Sequence, residues 1–281
     1  MLRSTKKIMK SSNKSSKVDK ISRHRDGGGE INWLWVGGKN PCFLILKNRQ
    51  RQIFEILITE NNRESFNNFI KKNSLERFLK ITKIVDNNFL NQTLPRDFVH
   101  QGIAVKVSKI NLKTQFELLE ELNHIDDKND LPNILILDQI TDPQNVGAII
   151  RSAVAFDFNK IIFCSHNCAK ESSSMIKASA GNIEFAELYV ASNLNNLLDK
   201  LKKIGFWCVG LAGEGSMNEK KIAEYKNIAL VVGSEGDGIR SLVKKNCDIL
   251  VRINTNIAVE SLNVSVATAI ALNEIYHSKN V

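Results

Sequence analysis

The stretch "NILILDQITDPQNVGAIIRSAVAFDFNKIIFCS", residues 133–165, reads as strand, helix, strand. Its first and last parts, "NILILD" and "KIIFCS", are short continuous apolar runs, the pattern of strands buried on both faces. Between them, Asp142 followed by Pro143 marks a helix start, with an acidic cap and proline in the first turn. Apolar runs of the same kind recur downstream: "AELYVAS" (186–192), "FWCVGLAG" (206–213), "IALVVGS" (228–234) and "DILVRIN" (248–254). Each is followed by a helical pattern. Such alternation predicts an α/β class with a mostly parallel sheet covered on both faces. Ligands of such sheets bind beyond the carboxyl ends of the strands, so the loops after the strands become the search space.

Upstream, the pattern predicts a smaller α/β unit over residues 31–110. It holds a helix from Pro41 capped by Asn40, a strand "IFEILIT", a polar helix near 64–73, and strands "KITKIV" and "HQGIAVKVS". Residues 111–131 read as a connector, with a short amphipathic helix at "FELLEEL" and a charged turn "HIDDKND". Residues 1–30 form a Ser/Lys-rich tail ending in three glycines, with nine Lys/Arg against three Asp/Glu, so most of the net charge of +9 lies there. A tail with so little to bury is expected to be disordered. It serves either as a solubilising extension or as an electrostatic tether for nucleic-acid phosphates. A mitochondrial-type presequence would favour Arg and an amphipathic face, and both are weak.

Composition removes several classes. No run of eighteen apolar residues occurs, and the N-terminal basic residues lack an adjoining apolar stretch, so neither a transmembrane span nor a secretory signal is expected. Five cysteines, without a C-x-x-C pair, sit mostly in apolar runs and suit free thiols in a reducing, cytoplasmic compartment. The five histidines are scattered without metal-ligand spacing, and the Cys164–His166–Cys168 group is too sparse to suggest zinc. No G-x-S-x-G elbow is present. No metal and no membrane partner are expected.

Three loops carry the candidate chemistry. "DPQNVGAIIRSA" holds Asn145 and, six residues on, Arg151, with Gly147 allowing close backbone approach. An arginine among apolar neighbours must be paired, snorkelling, or waiting for an anion. "VVGSEGDGIR" has glycines that let backbone N–H groups cradle a ligand, but Glu235 among them would repel a phosphate and suits a cationic or donor-rich ligand better. "ESLNVSVATAIAL" opens an apolar helix with two hydrogen-bonding side chains, Ser261 and Asn263. Ser261 reads as the N-cap, and Asn263 is then left unexplained, because a cap needs one such side chain. Residues 262–275 are too uniformly apolar for a helix with one solvent face, so they belong to a core or a subunit interface.

Together, "DPQNVGAIIRSA", "VVGSEGDGIR" and "ESLNVSVATAIAL" resemble, in order and spacing, the three motifs of the SpoU-type RNA ribose 2′-O-methyltransferases of the SPOUT superfamily. The motif block spans residues 133–277. The upstream block, closing on "VHQGIAVKV", resembles the ribosomal-protein-like RNA-binding domain that many members carry.

The resemblance implies S-adenosylmethionine as methyl donor, a C-terminal trefoil knot, a homodimer through the knotted region, and a site shared between two subunits. It implies a catalytic domain over 132–281 behind an RNA-binding domain over 31–110. By motif position, cofactor contacts fall on Gly233, Ile253 and Leu262, with Leu211 and Gly213 beside them. Asn145, Arg151, Glu235, Ser261 and Asn263 fall on the polar positions expected to line one catalytic site. The activity implied is 2′-O-methylation of a guanosine in large-subunit (23S) ribosomal RNA. Transfer RNA as substrate and a non-catalytic ribosome-assembly role stand as alternatives. Departures are Asp157 where the family usually has glycine, "INTN" (253–256) in place of Ile-Pro-Met, and "GGKNP" in the upstream block.

Overall fold

The structure is a computed structural model that describes residues 32–48, 50–96, 98–256, 258 and 261–279. The basic tail expected over 1–30 lies outside the described residues. Residues from Asn32 onward form one compact unit built on two sheets.

The smaller sheet and its helices run β1 (Trp33–Gly37), α1 (Lys39–Lys47), β2 (Ile53–Ile58), α2 (Glu60–Lys72), β3 (Thr82–Ile84), α3 (Asn87–Thr93) and β4 (Ile103–Ser108). The strand order is β1-β4-β2-β3, with β4 antiparallel to both β1 and β2, and β3 parallel to β2. The helix expected from Pro41 begins earlier, at Lys39, and Asn40 is not its cap. Gly38, at φ 95°, turns the chain and donates its N–H to His100 and Ile103 carbonyls at 3.2 and 3.3 Å. Pro41 is tolerated because first-turn N–H groups have no intrahelical partner. The residues before β3 form a 3₁₀ turn, Glu76–Ile81, rather than strand.

The larger sheet takes β5 (Lys113–Thr114), α4 (Gln115–Asn123), β6 (Ile134–Asp138), α5 (Pro143–Ala155), β7 (Lys160–Cys164), α6 (Ser173–Ala178), β8 (Glu187–Ala191), α7 (Leu194–Ile204), β9 (Trp207–Leu211), β10 (Met217–Asn218), β11 (Ile228–Gly233), α8 (Ser241–Lys245), β12 (Ile249–Arg252) and α9 (Val264–Lys279). Its order is β10-β12-β9-β11-β6-β7-β8-β5, and every neighbouring pair is parallel. Residues 113–123, expected as a connector, supply its edge strand β5 and helix α4. Every residue of β6 and β11 is buried, as their apolar runs require. One face packs α5, α6 and α9, and the other packs α4, α7 and α8. From β6 the chain proceeds to β7 and β8 on one side, then returns to β9 and β11 on the other. The reversal between β6 and β11 is where such sheets place ligands.

A single apolar core continues from the smaller sheet into the α5–α6–α9 face of the larger one. A buried charge cluster fastens the same joint. Arg51 pairs with Glu184 at 3.1 Å and Glu171 at 2.9 Å, with side-chain exposures of 2%, 1% and 12%. Asn48 Nδ2 donates to Glu184 Oε2 at 2.7 Å. Burial pushes the Glu184 carboxyl above its ordinary pKa, against the opposing pull of Arg51 and Asn48. Helices α5 and α6 touch through Gly147, where a Cβ would lie 2.4 Å from the Met175 carbonyl oxygen. Asp157, which ends the turn after α5, sits at φ 60°, in the left-handed region that favours glycine.

Candidate active site

Helix α5 starts as its sequence predicts, with Asp142 accepting from the Gln144 N–H at 2.9 Å and Pro143 in the first turn. This places Asn145 beside the carboxyl edge of the sheet. The loop after β11 folds back sharply: Ser234 and Gly238 exchange both backbone hydrogen bonds, and a Cβ on Gly233 would lie 2.0 Å from the Gly238 carbonyl carbon. Gly233 is therefore required by backbone contact. Asp138, the last residue of β6, is fully buried and accepts from Arg240 Nε at 2.7 Å and the Arg240 N–H at 2.9 Å. That clamp holds the Glu235 loop against β6.

Glu235, Asn145 and Asn263 meet. Asn145 Nδ2 donates to Glu235 Oε1 at 3.1 Å, and Asn263 Nδ2 donates both to Asn145 Oδ1, at 3.0 Å, and to Glu235 Oε1. The other end of Asn263 caps α9: its Oδ1 accepts from the Ser265 N–H at 2.9 Å and the Val266 N–H at 3.4 Å. This inverts the sequence expectation. Asn263, not Ser261, is the cap, because α9 begins at Val264. Its amide still has two donors to spare for the cluster. The Val264 N–H also points to Glu235 Oε1, at 3.4 Å, which places a carboxylate at a helix N-terminus where the dipole favours it.

Beside this cluster lies a cavity of about 340 Å³ formed by the loops after β9, β11 and β12 and the start of α9. Leu211, Gly213, Gly233, Ile253 and Leu262, the five expected cofactor positions, all line it, as do Ser261 and Glu235. Leu211, Ile253 and Leu262 offer apolar sides. A Cβ added at Gly213 or Gly236 would meet nothing within 4 Å, so the backbone there faces open space. Glu214, on the rim, is paired with Lys244. Exposed backbone, apolar sides and carboxylates fit a ligand with a flat base and a positive centre.

Arg151 is not part of the cluster within this chain. It stands exposed on α5, about 9 Å along the axis from Asn145, without a hydrogen bond or ion pair among the described residues. It lies next to the row Ala148–Ser152–Phe156, which with Ser265, Val266, Ala269, Ile270 and Asn273 of α9 lines an open groove. The opposite side of α9, including Thr268, Ala271, Leu272 and Ile275, is buried. The Asp138–Arg240 clamp was not singled out in the sequence. Its signal is an arginine ending a glycine-rich loop and an acid ending a strand, 102 residues apart. No group of three or more His, Cys, Asp or Glu able to hold a metal ion occurs among the described residues.

The model of the SpoU rRNA methylase family matches residues 132–273, the stretch that contributes all of these side chains. This chain belongs to the SpoU rRNA methylase family. Among curated relatives, a Borreliella burgdorferi protein named as an uncharacterized tRNA/rRNA methyltransferase is 36% identical over 219 residues, covering 75% of this chain and 95% of that protein. The 23S rRNA (guanosine-2′-O-)-methyltransferase RlmB of Xanthomonas campestris is 31% identical over 240 residues, covering 85% and 94%. Among solved structures, the SpoU methyltransferase AviRb from Streptomyces viridochromogenes, in complex with AdoMet, superposes with a TM-score of 0.69 over 89% of this chain and 91% of that one. At 17% identity that likeness speaks to the fold alone. The smaller sheet lies outside the SpoU family match, although both relatives extend beyond it.

Proposed function

We propose that this protein is an S-adenosylmethionine-dependent RNA methyltransferase that modifies the ribose 2′-oxygen of a guanosine in large-subunit ribosomal RNA. The observation that carries this reading is the convergence of three separate loops, through Asn145, Glu235 and Asn263, at the mouth of the cavity lined by Leu211, Gly213, Gly233, Ile253 and Leu262. The relatives' names support methylation of RNA, and the Xanthomonas protein's name supports the guanosine and the 2′-oxygen.

The bound cofactor supplies an already activated methyl group. The chain's task is then to align the ribose and stabilise the oxygen as its proton leaves to water. The hydrogen-bonded trio presents Glu235 Oε2, which has no partner among the described residues, as an acceptor. The planar Arg151 guanidinium suits an electrostatic role: it binds the adjacent phosphate and stabilises the developing alkoxide. Its distance from the trio within one chain supports a composite site. In that arrangement two copies join across the open α5–α9 groove, and Arg151 of one subunit completes the site of the other. A knotted path at this edge is part of the same reading, supported by β11 lying between β6 and β9 and by α9 packing on both α5 and the 219–224 turn.

The test is methyl transfer from labelled cofactor to ribosomal and transfer RNA from cells lacking the gene, followed by nucleoside analysis. Labelled 2′-O-methylguanosine in large-subunit RNA is expected. Label confined to transfer RNA would replace the substrate, and no label with either RNA would leave a binding protein.

A further inference from the structure

The face of the smaller sheet opposite α1 and α2 carries features that the methyl-transfer site does not use. Register sets Trp35 opposite Lys106, and Lys106 opposite Glu55, with Trp33 two residues along on the same face. Lys106 Nζ lies 3.8 Å from the Trp33 ring centre, and Trp33 is 37% exposed. Further along this face, Leu57, Ala104, Leu90 and Leu94 form a small apolar cluster against which Trp35 and Phe98 pack.

Phe98 also walls a cleft of about 480 Å³ between the two sheets. Arg96 and Val99 stand on its side of the cleft, with Gln144 of α5 and Ser174 and Lys177 of α6 opposite. Arg96 and Lys177 are exposed and make no ion pair or hydrogen bond among the described residues, and no described lining residue is acidic. Nearby cations differ: Lys83 is neutralised by Glu55 and Arg63 by Glu60. Two cations without an ion pair among the described residues, beside an aromatic ring, are the chemistry of a single-stranded nucleic-acid groove, with phosphates on the charges and a base on the ring. The place of the cleft narrows this further. Gln144 is the chain neighbour of Asn145, so the cleft adjoins the first turn of α5 that also carries the cluster.

We propose that this cleft holds the unpaired RNA strand flanking the target ribose, with phosphates on Arg96 and Lys177 and a base against Phe98. The assignment rests on the RNA methyltransferase reading above and names where its substrate lies. A recess of this size takes nucleotides one at a time, whereas a duplex keeps its bases stacked and presents its backbone outside.

The experiment measures binding of a fluorescein-labelled 12-nucleotide RNA, single-stranded or annealed to its complement, across a salt series. The proteins are wild type, Arg96→Ala/Lys177→Ala and Phe98→Leu. Both cations are exposed, and leucine keeps an apolar side chain at position 98, so cofactor affinity by calorimetry serves as the folding check. A control, Lys71→Ala/Lys203→Ala, removes equal charge from α2 and α7, on the opposite faces of the two sheets. The double cleft variant is expected to bind the single strand at least about tenfold more weakly, with a log–log salt slope flatter by about 1.4, since each lost contact removes about 0.7. Phe98→Leu should weaken binding about fivefold or more with the slope unchanged. Wild-type affinity and slope in the cleft variants, an equal loss in the control, or preference for the duplex would overturn the proposal. Cleft-dependent binding by a wild-type protein that transfers no methyl to any RNA would keep the cleft and remove the methyltransferase reading instead.

Discussion

Asn263 joins two tasks that substitution can separate. Asn263→Ala removes the α9 cap, at a cost of about 1 kcal/mol, and the hydrogen bonds to Asn145 and Glu235. A bond to a charged group contributes about 1.5–3 kcal/mol and a neutral one about 1, though the partners here are exposed and regain water, so about 1–2 kcal/mol in total is expected from the cluster. Alanine should therefore lower stability by about 2–3 kcal/mol. Asn263→Ser keeps an acceptor for the first-turn N–H groups but is too short to reach Asn145 and Glu235, so it should be about 1 kcal/mol more stable than alanine. Denaturant unfolding at one fixed protein concentration measures both values. Methyl transfer should fall equally in the two variants, because both remove the Asn263 amide that ties Asn145 to Glu235. A fully active serine variant would refute the bridging role of Asn263, and equal stability of serine and alanine would refute the cap.

Arg151→Ala should abolish methyl transfer while leaving cofactor affinity within a few-fold by calorimetry. Arg151→Lys should restore RNA affinity better than rate, since charge returns without the planar fork. If two copies join across the open α5–α9 groove, as proposed, Ala269→Glu puts a carboxylate into that joint and should give monomers or aggregates by light scattering and no methyl transfer, whereas both Asn263 variants should keep the wild-type mass. Glu121, although burial works against it, is held down to about 2 from 4.5 by hydrogen bonds from Lys113, Lys160 and Tyr189. It therefore stabilises the fold above pH 4.5, and that contribution should disappear as pH falls through about 2; Glu121→Gln should flatten this part of the acid unfolding curve. Arg51→Met strands Glu184 and Glu171 and should cost about 3–5 kcal/mol near neutral pH, with a smaller penalty in acid, where Glu184, already pushed up by burial, takes up a proton.

The larger sheet was legible because strands buried on both faces are written as unbroken apolar runs, and all six long ones fell within a residue or two of their predicted places. Other strands were not. Trp33–Gly37 adjoins a glycine run, and Lys113–Thr114 is a two-residue edge with nothing apolar to announce it. Ser261 and Asn263 can each cap a helix, and the choice follows from where α9 starts and from Glu235 arriving from another loop, which local sequence does not specify. The five expected cofactor positions come from motif position, and they line one cavity that their separation in sequence does not announce. Arg151 was expected in the same cluster, but six helical residues carry it away from Asn145. The Asp138–Arg240 clamp spans loops whose proximity only the chain path creates.

The buried Arg51–Glu184–Glu171 joint has a consequence for exchange between relatives. A substrate-selecting module can be swapped freely when a flexible linker is its sole attachment. Here a chimera carrying another protein's segment in place of residues 32–110 would bring no guarantee of a cation at position 51 or an amide at 48. Glu184 and Glu171 would then be left as uncompensated charges in a dry seam, with the apolar core cut open around them. The two sheets are thus inherited together in this molecule, and a change in either would have to arise residue by residue on the existing scaffold.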